Sequence, residues 1–340
     1  MAGQPILGAP QACPDPRPRR RADLPNDAAT VELAAPDIEP YRAGNTGVDF
    51  VHRFSGPQPG PAVMVSAIVH GNELCGAIAL DWLLRSGLRP RAGSLTLAFC
   101  NIDAYARFDP AAPALSRFVD EDFNRVWGAD VLDGDRDTAE TRRARLLRPA
   151  VDAADYLLDI HSMQNDTEPL MLCGPLAKGR AWARRVGFPA TIVSDAGHAA
   201  GKRMRDYGAF ADPASPSNAL LVECGQHWRA PTATVAIETM LRVLRDLGTF
   251  AAGDVDHHLP AAPPPSPRVI EITHAITVAS DRFAFARPFR GMEVVPLSGT
   301  VIARDGDPPV VTPHDDCVLI MPSARLRPGQ TAVRLGRFVD

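Results

Sequence analysis

Apolar residues along this chain gather in short unbroken runs, and segments of helical period lie between them. The run Val63-Met-Val-Ser-Ala-Ile-Val69 predicts a strand buried on both faces. It passes into Leu74 to Leu84, where Leu74, Ile78 and Trp82 share one helical face. Further strands are expected at Ser94–Ile102, Tyr156–Ser162, Leu170–Cys173, Thr191–Ser194 and Asn218–Trp228, the last closing on Glu223. Helical patterns cover Thr138–Arg148, about 177–187, and Thr232–Leu247. Pro149 should end or kink the first of these. Thr30–Leu33 and Val48–Phe54 read as short strands ahead of the core. His52, alternating with apolar neighbours, reads as a surface strand residue. The polar stretch up to about 137 is a loop of the length that is usually functional or disordered.

Strands alternating with helices up to about residue 250 predict an α/β fold with a mixed, mainly parallel sheet sandwiched by helices. Gly253 is expected to open a hinge, and Pro260–Pro267 forms a stiff extended linker. Short alternating runs beyond it suggest a small C-terminal all-β domain. The expected division is a flexible N-terminal arm over 1–28, a catalytic α/β domain over 29–255, a Pro-rich linker over 256–267 and the β domain over 268–340.

Composition changes this picture little. With 45% hydrophobic and 22% charged residues and a net charge of −4, the chain lacks the basic stripe of a nucleic-acid binder. No apolar run approaches the ~20 residues that span a bilayer. The basic residues Arg17, Arg19, Arg20 and Arg21 are followed by no apolar segment, so they do not open a secretory signal. Six scattered cysteines without a C-x-x-C pair point to the reducing cytoplasm. Cys75, Cys100, Cys173 and Cys224 read as small buried hydrophobes. Self-association into a homo-oligomer stays open.

In an α/β sheet, ligands collect at the carboxyl ends of the strands. His70, His161 and Glu223 fall at such ends, and Glu73 lies just beyond one. Taken alone, His70 and Glu73 also fit a hydrogen-bonded histidine beside a carboxylate on a helix N-terminus. With His161 they make a His/Glu/His set of the kind that holds catalytic zinc and leaves a fourth position for water. Glu223 fits the base that such hydrolysis needs, or else a carboxylate paired at a sheet edge. Arg117, Asn124 and Arg125 supply planar donors suited to an oxyanion or a substrate carboxylate, or belong to an ordinary solvated loop. Asp159, two residues before His161, can orient that ligand from behind, or is an ordinary exposed strand residue.

In order along the chain, His70-Gly-Asn-Glu73, Arg117 with Asp122-Phe-Asn-Arg125, Asp159-Ile-His161 and Glu223-Cys-Gly resemble the succinylglutamate desuccinylase/aspartoacylase family of zinc carboxypeptidase-like hydrolases. The resemblance spans roughly residues 60 to 230. It implies zinc held by His70, Glu73 and His161, with Glu223 as general base and then general acid. Arg117 would polarise the scissile carbonyl, and Asn124 and Arg125 would bind a substrate carboxylate. It also implies the small β domain. Aspartoacylases proper use a further arginine before the base and a tyrosine from the β domain. Here the β domain has no tyrosine, and Arg203, Arg205 and Tyr207 are the candidates offered instead. His227 falls outside the family pattern; it could touch the site or cap the following turn, and the cap is the expectation. The resemblance implies zinc-dependent hydrolysis of a small N-acyl amino acid. The alternatives are a metallo-carboxypeptidase acting on peptide C-termini and a non-catalytic binding protein that retains the fold.

Overall fold

The computed structural model describes residues 30–198, 200–324 and 326–339. The arm expected over 1–28 lies outside them. The strands are β1 (Val51–Ser55), β2 (Gln58–Ala67), β3 (Ala92–Phe99), β4 (Tyr156–Met163), β5 (Leu170–Leu172), β6 (Thr191–Ser194) and β7 (Asn218–Gln226). After them come β8 (Arg268–Thr277), β9 (Ala284–Phe285), β10 (Glu293–Val295), β11 (Val301–Arg304), β12 (Val310–Val311), β13 (Cys317–Ile320) and β14 (Thr331–Val339). The helices are α1 (Leu74–Ser86), α2 (Ile102–Tyr105), α3 (Ala129–Leu132), α4 (Ala139–Asp152), α5 (Ala177–Val186), α6 (Pro231–Asp246) and α7 (Ala252–Val255).

One large sheet runs in the order β1-β3-β2-β4-β7-β5-β6-β8-β14-β13-β10, and β12-β11-β9 form a small second sheet. From β3 to β8 every neighbouring pair is parallel except β7 with β5. Beyond β8 the pairing is antiparallel. The sheet therefore continues across the Pro-rich segment, because β8 pairs with β6 on one side and β14 on the other.

Alternation along the central strands feeds two layers. Val63, Val65, Leu158, Ile160, Leu220 and Val222 pack with residues of α1, α5 and α6. Met64, Leu157 and Ala219 pack with Ala144, Leu147 and Val151 of α4 and with Phe123 and Trp127. Asp159, His161 and Glu223 share the parity of Leu157 and Ala219. They therefore stand on the α4 face.

Some expectations need correcting. Thr30–Leu33 is no strand; Glu32 donates to the Trp228 carbonyl at 2.9 Å and its carboxylate accepts from the Ala230 amide, so side-chain and loop contacts replace a ladder. Pro149 does not end α4, which continues to Asp152. The proline forfeits one ladder bond, and the last turn closes through Ala153 N–H to the Pro149 carbonyl at 3.2 Å. Gly253 lies inside α7 rather than at a hinge. The strand carrying Glu223 runs on to Gln226. Among the described residues, Cys75, Cys100, Cys173, Cys224 and Cys317 are buried thiols, and no helix is long and apolar enough to cross a membrane.

Candidate active site and metal centre

After β2 the chain leaves the sheet sharply. Ile68 takes a φ of 51°, a left-handed conformation that costs an L-residue roughly 1–2 kcal/mol. The turn sets His70 at the carboxyl edge of the sheet and Glu73 at the N-cap of α1. Gly71 is required by close approach: a Cβ there would lie 2.5 Å from the Ser116 carbonyl oxygen and the Ala104 carbonyl carbon. Its N–H donates to the Arg117 carbonyl at 3.1 Å. The loop carrying Arg117 is thus pressed onto the turn, and Arg117 Nη1 reaches Glu73 Oε1 at 3.3 Å. From the neighbouring strands come His161 of β4 and Glu223 of β7, which are register partners.

His70, Glu73 and His161 are all buried, and one ligand atom from each lies within 4.8 Å of the others. Glu73 sits between the imidazoles, with Oε1 2.7 Å from His70 Nδ1 and Oε2 2.9 Å from His161 Nδ1. The outer nitrogens face carboxylates: His161 Nε2 is 2.8 Å from Asp159 Oδ2 and His70 Nε2 is 3.0 Å from Asp122 Oδ1. Such partners keep the proton on Nε2 and aim the Nδ1 lone pairs at the common centre. Arg117 Nη2 also lies 2.8 Å from His70 Nε2; in this tautomer both are donors, and Asp122 between them accepts from each. Two nitrogens and a carboxylate with carboxylates behind them make a donor set that suits zinc.

The electrostatics agree with that fit. Burial pushes the Glu73 carboxyl up, but His70 and His161 outweigh it and hold it well below the usual range. Burial pushes His161 down, and Asp159 with Glu73 outweighs this and raises it well above the ordinary value. A proton and a divalent cation compete for that same lone pair. Glu223 behaves differently. Burial, with Glu73 adding to it, pushes its carboxyl up to about 8 against the pull of His161, Arg117 and Arg334. Its Oε2 is buried without a hydrogen-bond partner among the described residues.

Residues 59–247 match the model of the succinylglutamate desuccinylase/aspartoacylase catalytic domain, more than half of the chain. The chain belongs to this family. A protein named succinylglutamate desuccinylase from Burkholderia lata is 26% identical over 298 residues, covering 80% of this chain and 77% of its own. Another of that name from Paraburkholderia xenovorans is 27% identical over 297 residues, covering 80% of each. Among solved structures, a succinylglutamate desuccinylase from Vibrio parahaemolyticus superposes with a TM-score of 0.65 at 17% identity, over 86% of this chain and 87% of that one. The product-bound ectoine utilization protein EutE (DoeB) from Ruegeria pomeroyi superposes at 0.57 with 16% identity, over 84% and 87%. At these identities the superpositions bear on the fold alone.

Within this family fold, the loop after α2 supplies the remaining site groups. Asn124 is buried; its Oδ1 accepts from Met204 N–H at 3.0 Å and its Nδ2 lies 3.5 Å from His161 Nε2. Arg125 donates to the Asn124 carbonyl at 2.7 Å, and burial lowers its guanidinium to about 10. The loop backbone is held by Glu140 in the first turn of α4, a residue that the sequence pattern passed over as part of a basic helix. Its carboxylate accepts from the amides of Val119, Asp120 and Glu121 and from Asn101 Nδ2.

The three further substrate-binding candidates already have partners within the protein. Arg203 is fork-paired with Asp195 at 2.8 and 3.0 Å and bonded to Asp206. Arg205 donates to the Cys173 and Ala219 carbonyls and to Asp206. Tyr207 accepts from Arg148 and stacks edgewise on Trp127, within the apolar layer beneath α4. Most of their polar atoms are thus engaged within the protein, although Arg205 Nε has no hydrogen-bond partner among the described residues. His227 Nδ1 is 2.9 Å from Ser162 Oγ, next to His161, and its backbone N–H donates to the Met163 carbonyl at 2.8 Å.

Proposed function

We propose that the protein is a zinc-dependent hydrolase that cleaves the amide bond of a small N-acyl amino acid, releasing a carboxylate and an amine. The observation that carries this reading is the buried His70/Glu73/His161 group with an unpaired carboxyl, Glu223, as register neighbour of one of its histidines. Family membership and relatives named for cleaving succinylglutamate support it.

His70, Glu73 and His161 would hold the zinc, which supplies Lewis acidity at the scissile amide. Glu223 takes a proton from the attacking water and returns it to the leaving nitrogen. Burial raises this carboxyl in the metal-free protein and a neighbouring cation would pull it back down, so desolvation and metal together set a group that can both take and return a proton. Arg117, half-fixed by Glu73 and Asp122, donates to the carbonyl oxygen as negative charge gathers there. Arg125 and Asn124 hold the carboxylate of the amino acid, which orients the amide against Glu223.

The test is a panel of N-acyl amino acids assayed before and after chelation, with zinc restored at the end. Turnover should vanish with the metal, return with zinc, and favour acyl amino acids over peptides of several residues. Activity indifferent to chelation defeats the reading. A preference for longer peptides turns it into a carboxypeptidase.

A further inference from the structure

The segments that carry Glu73 and His161 are tied together by the stretch of chain that follows Glu223. Between the register pairs His161–Glu223 and Met163–Gln226, β7 takes one residue more than β4. The surplus is absorbed as a bulge at Cys224 and Gly225, where Gly225 adopts a φ of 110°. On the other side of β4, pairing with β2 reaches only as far as Asp159. Beyond that point the Ser162 amide donates to Glu73 Oε2 at 3.1 Å. Arg117 Nη1 faces the other oxygen, Oε1, at 3.3 Å. A carboxylate can turn about its last carbon–carbon bond, and these two donors set its plane.

His227 spans the bulge. Its backbone N–H donates to the Met163 carbonyl at 2.8 Å, and its Nδ1 lies 2.9 Å from Ser162 Oγ. One residue therefore grips β4 on both sides of the peptide that follows Ser162. Ser162 shares the parity of Leu158 and Ile160, so its hydroxyl stands on the layer of α1 and α6, away from the His161 imidazole. It reaches the site only through its backbone amide. His227 is buried, at 3% exposure, and its ring is tilted against Trp228 with centroids 5.5 Å apart. Trp228 Nε1 donates to the Asn72 carbonyl at 3.1 Å, in the turn between His70 and Glu73. Two adjacent residues thus bond to the β4 edge beside His161 and to the turn beside Glu73. Buried polar groups of this kind are costly to leave unpaired, so the contacts persist together.

We infer that His227 is a positioning residue for the metal centre: by holding Ser162 it fixes the amide that orients the Glu73 carboxylate, so that zinc meets this ligand already set. The inference rests on the metal site of the hydrolase reading above and assumes nothing about the substrate.

Zinc affinity is measured by competition with a chromophoric chelator on the metal-free wild type, Ser162→Ala, His227→Leu, His227→Asn and the double variant Ser162→Ala/His227→Leu. Loss of a partner behind a metal ligand weakens metal binding about 10- to 100-fold, and Ser162→Ala and His227→Leu should each fall in that range. The double variant should fall no further than the weaker single one, because both changes remove the same contact. His227→Asn should recover most of the affinity, since its amide can replace Nδ1 opposite the Ser162 hydroxyl. The visible absorption bands of the cobalt-loaded protein give a second readout, because they respond to how the ligands are held. They should change in Ser162→Ala and His227→Leu and return in His227→Asn.

A purely structural role for His227 would lower the melting temperature of the metal-free protein and leave zinc affinity and the cobalt bands as in the wild type. That result overturns the inference, and so do losses that add in the double variant. Ser162→Ala removes a single hydroxyl, so unchanged affinity in that variant overturns the inference even if His227→Leu fails to fold. If the wild type takes up no zinc, the metal reading fails and the inference falls with it. If the wild type and every variant bind zinc equally, the metal reading stands and the inference falls alone.

Discussion

Glu223→Gln should lower turnover about 10²- to 10⁴-fold, the usual contribution of a positioned acid–base group, while zinc content stays at the wild-type level. In free-energy terms this is roughly 3–5 kcal/mol of transition-state stabilisation. The amide keeps the volume and polarity of the side chain but cannot take up a proton. The carboxyl is a register neighbour of His161 and its Oε2 has no hydrogen-bond partner among the described residues, so the change breaks no hydrogen bond at that atom. The same variant has a pH signature. In the metal-free protein Glu223 is held at about 8 against an ordinary value near 4.5. The folded state therefore binds its proton more tightly than the unfolded chain does. That contribution to stability is complete below about pH 4.5 and is lost as pH rises through about 8. Glutamine does not titrate. The melting temperature of Glu223→Gln relative to wild type should thus climb between these pH values when both are metal-free. A flat difference across that window, or full turnover in the variant, removes Glu223 from its role.

His161→Ala should abolish stoichiometric zinc binding and the thermal stabilisation that zinc confers. A ligand held at a hundred times its dissociation constant adds about 2.7 kcal/mol. On a chain of this size that is several degrees of melting temperature. The quantity to compare is the gain on adding zinc to each metal-free protein. The starting temperatures will differ anyway, since the substitution also strips Asp159 and Glu73 of their shared partner. Wild type should gain and the variant should not. An equal gain in both takes His161 out of the metal site.

Much of this site could be read along the chain because each of its groups sits where an apolar run stops. A buried strand leaves its last side chain at the sheet edge, and that rule picks out His70, His161 and Glu223 without coordinates. Asp159 follows from strand alternation, two positions before His161. Arg117, Asn124 and Arg125 were legible from the family motif; why their loop is fixed was not, since it depends on Glu140 accepting backbone amides 19 to 21 residues earlier. The partners of Arg203, Arg205 and Tyr207 were not legible for a related reason: a cluster of donors in sequence carries no sign of which acceptors they will meet. Arg334 was invisible because β14 reads only as an alternating strand. Its position against Glu223 arises from β8 joining the main sheet, a pairing between distant segments. Pro149 did not end its helix, which runs three residues further to Asp152, because the loss of a single ladder bond near the end of α4 leaves only a short stretch to hold.

The most direct test of the account is anomalous diffraction at the zinc edge from crystals of the zinc-loaded protein. A single strong peak within bonding distance of His70 Nδ1, the Glu73 carboxylate and His161 Nδ1, with the Glu223 carboxyl beside it, is the expected result. An active protein whose peak lies elsewhere, or which shows none, contradicts it.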